Sequence, residues 1–276
     1  MDSTCAGTAE AGRPVSLPGI VVEPAWLEER LGRPGLRVVD MRDEEAYTAS
    51  HLPGAVRLDL ASLGSARGGC DNVLLPADDF ARLMEAVGIS SGDAAVAYDD
   101  QWGLAAARLV WALNFYGHSA VAVLDGGWDR WLAEDRPVTD ESPPPTHGRF
   151  EATPNPEVGA ELDWLAARVP GTDPVLIDTR SQTEFDQGHL PGAKWWDWFL
   201  AVPPASWNVA RDLEELRAEW AGLGVEPERE IVVYCRSGMR AAHTYVVLKH
   251  ARFPRVRLYD GSWQEWSMRG EGRNDG

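Results

Sequence analysis

The sequence contains little cysteine and no long apolar run, and both shortages limit what the protein can be. Its 276 residues include three cysteines, Cys5, Cys70 and Cys235, and no Cys-x-x-Cys pair. A small, odd number of cysteines does not favour a disulfide framework or a structural zinc site. No stretch approaches the roughly 20 apolar residues that a membrane-spanning helix needs. The opening "MDSTCAGTAEAGRPVS" lacks the basic and apolar regions of a signal peptide, so we expect a reduced, cytoplasmic protein without a membrane partner.

Positive charge is also scarce. The 26 lysines and arginines are outnumbered by 43 aspartates and glutamates, which gives a net charge of −17. This charge argues against nucleic acid as a partner, because binding to phosphates requires a positive surface. A small anionic substrate remains compatible with it, since salt screens distant carboxylates over about 10 Å. The 44% hydrophobic and 25% charged content is that of a globular protein with one large or two ordinary domains.

An internal repeat is the main feature of the chain. "VVDMRDEEAYTASHLPGAVRLDL" returns as "LIDTRSQTEFDQGHLPGAKWWDW", with the two histidines 138 positions apart. "VAYDD" returns as "VVYCR" at an offset of 136, and "VLDGGWDRW" returns as "LYDGSWQEW" at an offset of 135. Three blocks in the same order at nearly constant spacing indicate a duplicated domain.

The segment between the copies predicts a linker. "TDESPPPTHGRFEATPNP", residues 139–156, is rich in Pro, Ser and Thr and has no apolar periodicity. We place the boundary near residue 150. The prediction is an N-terminal domain at 17–140, a linker at 141–156 and a C-terminal domain at 157–276.

Each copy alternates short β-branched runs with helical patterns. In the second copy the predicted strands are 175–178, 231–235 and 256–259, and the predicted helices are 212–223, 238–252 and 261–268. Strands buried on both faces and separated by helices predict an α/β fold in which each copy has a mostly parallel sheet covered by helices on both faces. Ligands of such sheets bind beyond the carboxyl ends of strands, and Cys235 lies at such an end.

The surroundings of Cys235 favour a reactive thiol. Thiolate is the nucleophilic form of cysteine, and a positive environment stabilises it. Arg236 and Arg240 supply fixed charge, the helix predicted to start near Gly238 points its positive end at the loop, and the glycine lets the backbone curl. Inert buried thiols have apolar neighbours instead, which is why we interpret Cys235 as functional. Cys5, in a tail, and Cys70, in the glycine-rich "SARGGCDN", lack these features.

The motifs resemble those of the tandem-domain rhodaneses, a family of sulfurtransferases. "YTASHLPGAVRL" and "YDGSWQEW" are similar to the family's two signatures, and "CRSGMR" has the length of its active-site loop; the resemblance covers nearly all of the chain after about fifteen residues. It implies two rhodanese-like domains and a persulfide on Cys235 that passes sulfur from thiosulfate to a thiophilic acceptor. No cofactor is implied; the partners are a small anionic donor and an acceptor, for which a thiol-containing protein is a candidate. The implied site residues are Cys235 as nucleophile and Arg180, Arg236, Ser237, Gly238, Met239 and Arg240 as substrate-binding residues.

The first copy differs at the decisive position. Asp99 stands where the second copy has Cys235, and "DDQWGL" replaces the basic loop. A carboxylate cannot carry sulfur and repels an anionic donor, so we expect the N-terminal copy to be inactive, as in the family it resembles. For His51 and His189 we favour a structural role, holding their loops by hydrogen bonds, over acid–base chemistry.

Three alternatives stay open. A 3-mercaptopyruvate sulfurtransferase would suit Ser237 and Gly238, but Arg236 occupies a position where that subgroup has glycine. A cysteine-dependent phosphatase of the Cys-x5-Arg type would need one more residue between Cys235 and Arg240. A non-catalytic sulfur carrier is the third. The intact nucleophile and its arginines argue against a purely scaffolding role.

Overall fold

The protein folds into two α/β domains, each built on a five-stranded parallel sheet. The computed structural model describes residues 15–169, 171 and 173–269, and the structural statements below concern those residues. The predicted fold class is confirmed.

The N-terminal domain contains the first sheet and a separate hairpin. Its elements are β1 (Val21–Val22), α1 (Pro24–Glu28), β2 (Leu36–Asp40), α2 (Glu44–Ala49), β3 (Val56–Arg57), a 3-10 helix (Leu60–Leu63), β4 (Gly64–Arg67), β5 (Cys70–Leu74), α3 (Ala77–Ala86), β6 (Ala94–Tyr98), α4 (Leu104–Phe115), β7 (Val121–Leu124) and α5 (Gly127–Ala133). The sheet order is β1-β7-β6-β2-β3. The antiparallel hairpin β4-β5 lies outside this sheet and reaches the C-terminal domain.

The C-terminal domain repeats the arrangement. Its elements are β8 (Gly159–Ala160), α6 (Leu162–Ala166), β9 (Val175–Asp178), α7 (Gln182–Asp186), β10 (Lys194–Trp195), a 3-10 helix (Trp198–Ala201), α8 (Leu213–Gly222), β11 (Ile231–Tyr234), α9 (Met239–His250), β12 (Val256–Tyr259) and α10 (Ser262–Met268). The order β10-β9-β11-β12-β8 puts β11 at the centre. All six elements predicted for this copy are present, each with ends within two residues of the prediction.

The largest buried hydrophobic cluster spans both domains, and each domain has a smaller cluster of its own. The sequence of α4, "LAAARLVWALNF", is apolar on nearly every side because α4 lies between its own sheet and α9 of the other domain. A single cluster of buried side chains contains Trp111 of α4 and Tyr245 of α9, and the hydroxyl of Tyr245 is 3.4 Å from the side-chain nitrogen of Asn114. Burial of both faces of α4 therefore depends on both domains.

The segment between the domains is extended, as its composition indicates, and it follows the surface of the N-terminal domain. Gly148 N donates to the Glu85 carbonyl at 2.9 Å, Thr153 N donates to the Tyr116 carbonyl at 3.2 Å, and Phe150 is buried. The boundaries at 140/141 and 156/157 stay a prediction.

Candidate active site

Cys235 lies at the carboxyl end of the central strand of the C-terminal sheet. Every residue of β11 is buried, and Cys235 is only 1% exposed. Residues 235–238 lead straight into α9, so the thiol occupies the strand-to-helix turn at which α/β proteins bind ligands. Cys235, Arg236, Ser237 and Gly238 form this loop, and Met239 and Arg240 are the first two residues of α9.

The turn after β12 holds the backbone of Cys235. Cys235 N donates to Ser262 Oγ at 3.2 Å, and Trp263 N donates to the Cys235 carbonyl at 3.0 Å. Ser262 Oγ also donates to the Tyr259 carbonyl at 2.8 Å, and the residue has a φ of 54°, an uncommon value for a side chain with a β-carbon. Sequence analysis missed Ser262; the only signal was its place in "YDGSWQEW".

The loop ends in a glycine that no other residue can replace without strain. Gly238 is buried, has a φ of 83° and caps the twelve-residue helix α9, whose first residue is Met239. A β-carbon at Gly238 would lie 2.6 Å from Asp260 Oδ1 and 2.7 Å from Arg108 Nη1. The tight turn leaves the positive end of α9 facing the loop, which favours an anion there.

Arg240 lies in the first turn of α9 and binds Glu184 of α7. Its Nη1 and Nη2 atoms are 2.6 and 2.8 Å from the two carboxylate oxygens. Hydrogen bonding from the Arg240 guanidinium lowers the pKa of Glu184 to about 2. Burial by itself lowers the pKa of Arg240, but Glu184 and the negative form of Cys235 outweigh it, and the net pKa is raised. Arg240 therefore interacts with both the Cys235 thiol and the Glu184 carboxylate. Sequence analysis did not identify Glu184.

Arg236 is the exposed cation of the loop. Its backbone carbonyl accepts from Gln264 N at 3.2 Å, whereas its guanidinium has no ion-pair partner within the described part of the chain. Ser237 is half-buried beside it. An anion that approaches the loop therefore meets Arg236 without displacing a carboxylate.

Arg180 is buried, and its guanidinium lies against Trp263. Its Nε and Nη2 atoms bind Asp178 at 2.9 and 2.6 Å, and Nη2 also donates to the Gly188 carbonyl at 2.6 Å. The guanidinium carbon is 4.8 Å from the ring centre of Trp263, whose backbone N–H binds Cys235. Nη1 has no hydrogen-bond partner among the described residues, and no hydrogen bond joins Arg180 to the loop. A role in donor binding stays a prediction.

The N-terminal copy has the same ion pair. Arg42 binds Asp40 at 2.6 Å and the Ser50 carbonyl at 2.7 Å, and its guanidinium carbon is 3.7 Å from the ring centre of Trp128. The N-terminal domain has this ion pair but no counterpart of Cys235. The pair therefore has a structural role in both domains.

The Asp99 loop of the N-terminal domain shows how such a turn binds an anion. Asp99 Oδ1 accepts from Gln101 N and Gly103 N, both at 2.8 Å, and Oδ2 accepts from Ala106 N at 2.9 Å. Burial raises the pKa of Asp99, and these backbone bonds act in the opposite direction. The loop reaches its capping glycine, Gly103, one residue later than the Cys235 loop does, which explains why the repeat offset changes from 136 to 135. In this copy the loop binds a carboxylate of its own chain.

Both histidines of the repeated motif bind backbone carbonyls. His51 Nδ1 lies 2.8 Å from the Tyr47 carbonyl oxygen, and His189 Nδ1 lies 3.0 Å from that of Phe185. Each ring also stacks on the side chain of the same residue. These contacts fit a structural role in both domains.

The other thiols lack the environment of Cys235. Cys70 is buried in β5, and burial, together with Glu265, Asp71 and Asp260, raises the pKa of its thiol. A protonated thiol is a poor nucleophile. Cys5 lies outside the described residues.

Two cavities of the described residues lie away from the loop, and one of them is lined by Pro18, Trp26 and His250. A crevice of about 800 Å³ between the domains, bordered by Trp111, Trp164 and Arg257, includes no residue of the Cys235 loop. Within residues 15–269, as far as they are described, no three His, Cys, Asp or Glu side chains form a group that could hold a metal ion. No helix in the same part of the chain is long and apolar enough to cross a membrane.

Comparison with known families decides the identity of the fold. The rhodanese-like domain matches the chain twice, at residues 23–134 and 161–269. The chain belongs to the rhodanese family. Both matches fall within the two domains, and the second includes the whole Cys235 loop, so the rhodanese repeat accounts for the duplicated sequence.

The proteins that this chain is similar to have been given different functional names. This rhodanese is 33% identical to the thiosulfate sulfurtransferase of Azotobacter vinelandii over 259 residues, which cover 91% of this chain and 94% of that protein. It is 34% identical to the sulfur carrier protein TtuD of Thermus thermophilus, over 90% of this chain and 94% of that protein. The crystal structure of SseA from Escherichia coli, described as a 3-mercaptopyruvate sulfotransferase, is 27% identical, with a TM-score of 0.80 over 89% of this chain and 99% of that one.

Proposed function

We propose that the protein is a thiosulfate sulfurtransferase that carries sulfane sulfur on Cys235. The observation that supports this best is the position of the thiol: Cys235 lies at the end of β11, in a turn closed by the N-terminus of α9, with Arg236 and Arg240 beside it. This turn suits a thiolate in the resting enzyme and a persulfide anion after the first step.

The reaction has two steps. The Cys235 thiolate attacks the outer sulfur of thiosulfate, a new S–S bond forms, and sulfite leaves with the electron pair of the broken bond. A thiophilic acceptor such as cyanide then attacks the outer sulfur of the persulfide, which restores the thiolate. Backbone N–H groups of the loop stabilise the persulfide anion, as their counterparts stabilise the Asp99 carboxylate.

The arginines divide the work of donor binding. Arg240 forms an ion pair with Glu184, so its main role is to stabilise the negative charge on the sulfur of Cys235. Arg236 is exposed and has no ion-pair partner among the described residues, and it contacts the sulfonate end of the donor. Arg180 contributes its free Nη1. Because sulfur transfer needs a free thiol, the proposal includes a cytoplasmic location, where thiols stay reduced.

The second candidate donor is 3-mercaptopyruvate. The likeness to SseA favours it, because that structure shares the two-domain fold over nearly its whole length. Against it stands Arg236: thiosulfate is a compact dianion, whereas mercaptopyruvate has one carboxylate and a ketone. Steady-state cyanide assays with the two donors side by side distinguish the candidates; a higher kcat/KM for mercaptopyruvate would overturn the thiosulfate assignment.

Intact mass spectrometry tests the carrier residue. After treatment with thiosulfate and removal of excess donor, the wild-type protein should gain one sulfur atom, and Cys235→Ser should gain none and lose turnover. A sulfur atom on Cys5 or Cys70, or any sulfur mapped to residues 1–150 of Cys235→Ser, would contradict the assignment. Phosphatase activity abolished by Cys235→Ser, without sulfur transfer by the wild type, would replace the proposal.

A further inference from the structure

A buried arginine of the N-terminal domain lies against the Cys235 loop. Arg108, on α4, has no exposed side-chain surface. Its Nη1 atom binds Asp260 Oδ1 at 2.6 Å, and Nη2 donates to the Asn72 carbonyl at 3.0 Å. Its Nε atom is buried and has no hydrogen-bond partner in the part of the chain that the structure describes. The side chain is therefore fixed at the domain interface by groups of both domains.

The Arg108–Asp260 pair packs directly on the last residue of the loop. A β-carbon added at Gly238 would be 2.7 Å from Arg108 Nη1 and 2.6 Å from Asp260 Oδ1. Asp260 also accepts from Leu74 N at 2.8 Å through its other oxygen. Two residues beyond Asp260, Ser262 accepts the N–H of Cys235. The pair thus limits the loop at Gly238 and lies next to the turn that holds Cys235.

The side chain that packs against the Asp99 loop from the C-terminal domain is uncharged. Arg108 is the fifth residue after Gly103, and the fifth residue after Gly238 is His243. His243 Nε2 lies 3.2 Å from the Trp102 carbonyl oxygen of the Asp99 loop, and burial lowers the pKa of His243 to about 4. Each domain therefore places a side chain at the same helix position against the other domain's loop. The loop with the thiol receives a fixed cation, and the loop with a carboxylate receives an uncharged imidazole.

We propose that Arg108 is a positioning residue for sulfur transfer at Cys235. It acts through Asp260: the guanidinium neutralises this carboxylate beside the loop and holds it against Gly238. The inference rests on the proposed function, since it assumes that Cys235 is the reactive thiol. The inactive domain thereby sets the electrostatic environment of the active one.

Many charged groups lie on or next to the elements that contact the Cys235 loop, so a single substitution does not identify the cause of a change in the thiol's reactivity. They include Arg236 and Arg240, Glu184 and Asp197, which interact with Arg240, the Arg108–Asp260 pair at Gly238, the Arg180–Asp178 pair beside Trp263, and Glu265 on α10. A pair of substitutions with opposite electrostatic effects avoids this difficulty. Arg108→Met leaves the Asp260 carboxylate unneutralised, and Asp260→Asn leaves the Arg108 cation unneutralised.

The measurement is the rate of iodoacetamide alkylation of the Cys235 peptide against pH, in the full chain without a sulfur donor. Arg108→Met should raise the midpoint pH of alkylation by about one unit and Asp260→Asn should lower it by about as much, because each substitution leaves one charge of the pair unneutralised beside the loop. The double variant should return close to wild type. The kcat/KM for thiosulfate at neutral pH should fall about tenfold in Arg108→Met. Arg82→Met, at an exposed arginine of α3 paired with Asp79, is the control.

A role confined to holding the domains together would shift both midpoints in the same direction or shift neither, and either result overturns the proposal. If Arg108→Met does not fold, the test uses Arg108→Lys and Asp260→Asn. Arg108→Lys keeps the charge and should keep the wild-type midpoint of alkylation, whereas Asp260→Asn should lower it. Because alkylation needs no donor, failure of thiosulfate as a substrate leaves this experiment interpretable.

Discussion

At the scale of single residues, the structure separates arginines that the sequence presents as equivalent. Arg236 is exposed and pairs with no carboxylate of the described residues, whereas Arg240 binds Glu184. Arg180 is buried and forms an ion pair with Asp178. The charge that each can offer to an incoming dianion therefore differs. Two substitutions test this order.

Replacing Arg236 should change the choice of donor. Arg236→Gly removes the exposed cation and moves the loop towards the sequence expected for mercaptopyruvate. A charge-assisted hydrogen bond is worth about 1.5–3 kcal/mol, so kcat/KM for thiosulfate should fall tenfold or more while that for mercaptopyruvate falls less. Parallel assays with both donors measure the ratio. Unchanged thiosulfate kinetics would show that Arg236 does not set the donor.

The repeat provides a matched control for Arg180. Arg180→Gln and Arg42→Gln break the same buried ion pair in the two domains, and each should cost about 3–5 kcal/mol in free energy of unfolding, because the remaining aspartate is left uncompensated. If the free Nη1 of Arg180 contacts the donor, only Arg180→Gln should raise KM for thiosulfate, by about tenfold. Urea unfolding and steady-state kinetics on both variants give the comparison. An equal KM in the two variants would confine Arg180 to a structural role.

At the scale of elements, α7 and α9 are joined by the Glu184–Arg240 pair. Glu184 also closes the N-terminal turn of α7 through the hydroxyl and backbone N–H of Ser181. One carboxylate therefore fixes the start of α7 and the first turn of α9, which carries the loop. The position of the thiol relative to the sheet depends on both helices.

The Glu184–Arg240 pair should stabilise the protein only above acidic pH. The pKa of Glu184 is about 2 in the folded protein, below its unfolded value of about 4.3, so its contribution is present above pH 4.3 and disappears as the pH falls through 2. Glu184→Gln should lower the urea midpoint at pH 7 and leave it close to wild type near pH 2. Glu45→Gln, at an exposed glutamate of α2, is the control. A stability difference that persists undiminished at pH 2 would contradict the ion-pair explanation.

At the scale of the whole molecule, the two domains behave as one packing unit. The buried cluster that contains Trp111 also contains Tyr245, and Arg108 and Asp260 cross the interface. Neither domain can lose its structure without exposing apolar surface of the other.

Thermal unfolding should therefore occur in one transition. Burial of α4 against α9 couples the domains, so the calorimetric and van't Hoff enthalpies should agree, and fluorescence and circular dichroism should report the same midpoint. Two resolved transitions would show that the interface is weaker than its packing indicates. Arg82→Met should leave the transition single.

The sequence predicted the strands and the position of Cys235, but it did not predict the contacts between residues far apart in the chain. The runs 175–178 and 256–259 and the position of Cys235 at a strand end follow from periodicity and β-branched content, because each depends on a few neighbouring residues. Glu184 and Arg108 carried no local signal: they approach the loop through the positions of α7 and α4, 51 and 127 residues before Cys235 in the chain. Such contacts are products of tertiary packing, which a local pattern does not encode.

The one-residue difference between the Asp99 and Cys235 loops limits how the first copy could be engineered. The carboxylate of Asp99 is already bonded to the backbone N–H groups that an incoming sulfur anion would need, and the longer turn places Gly103 out of step with Gly238. Under the proposed function, we expect sulfur transfer in the first copy to require both Asp99→Cys and the removal of one loop residue, because the substitution alone leaves the N–H groups of Gln101, Gly103 and Ala106 without their carboxylate. A single substitution in the first copy is therefore not expected to add a second sulfur-transfer site.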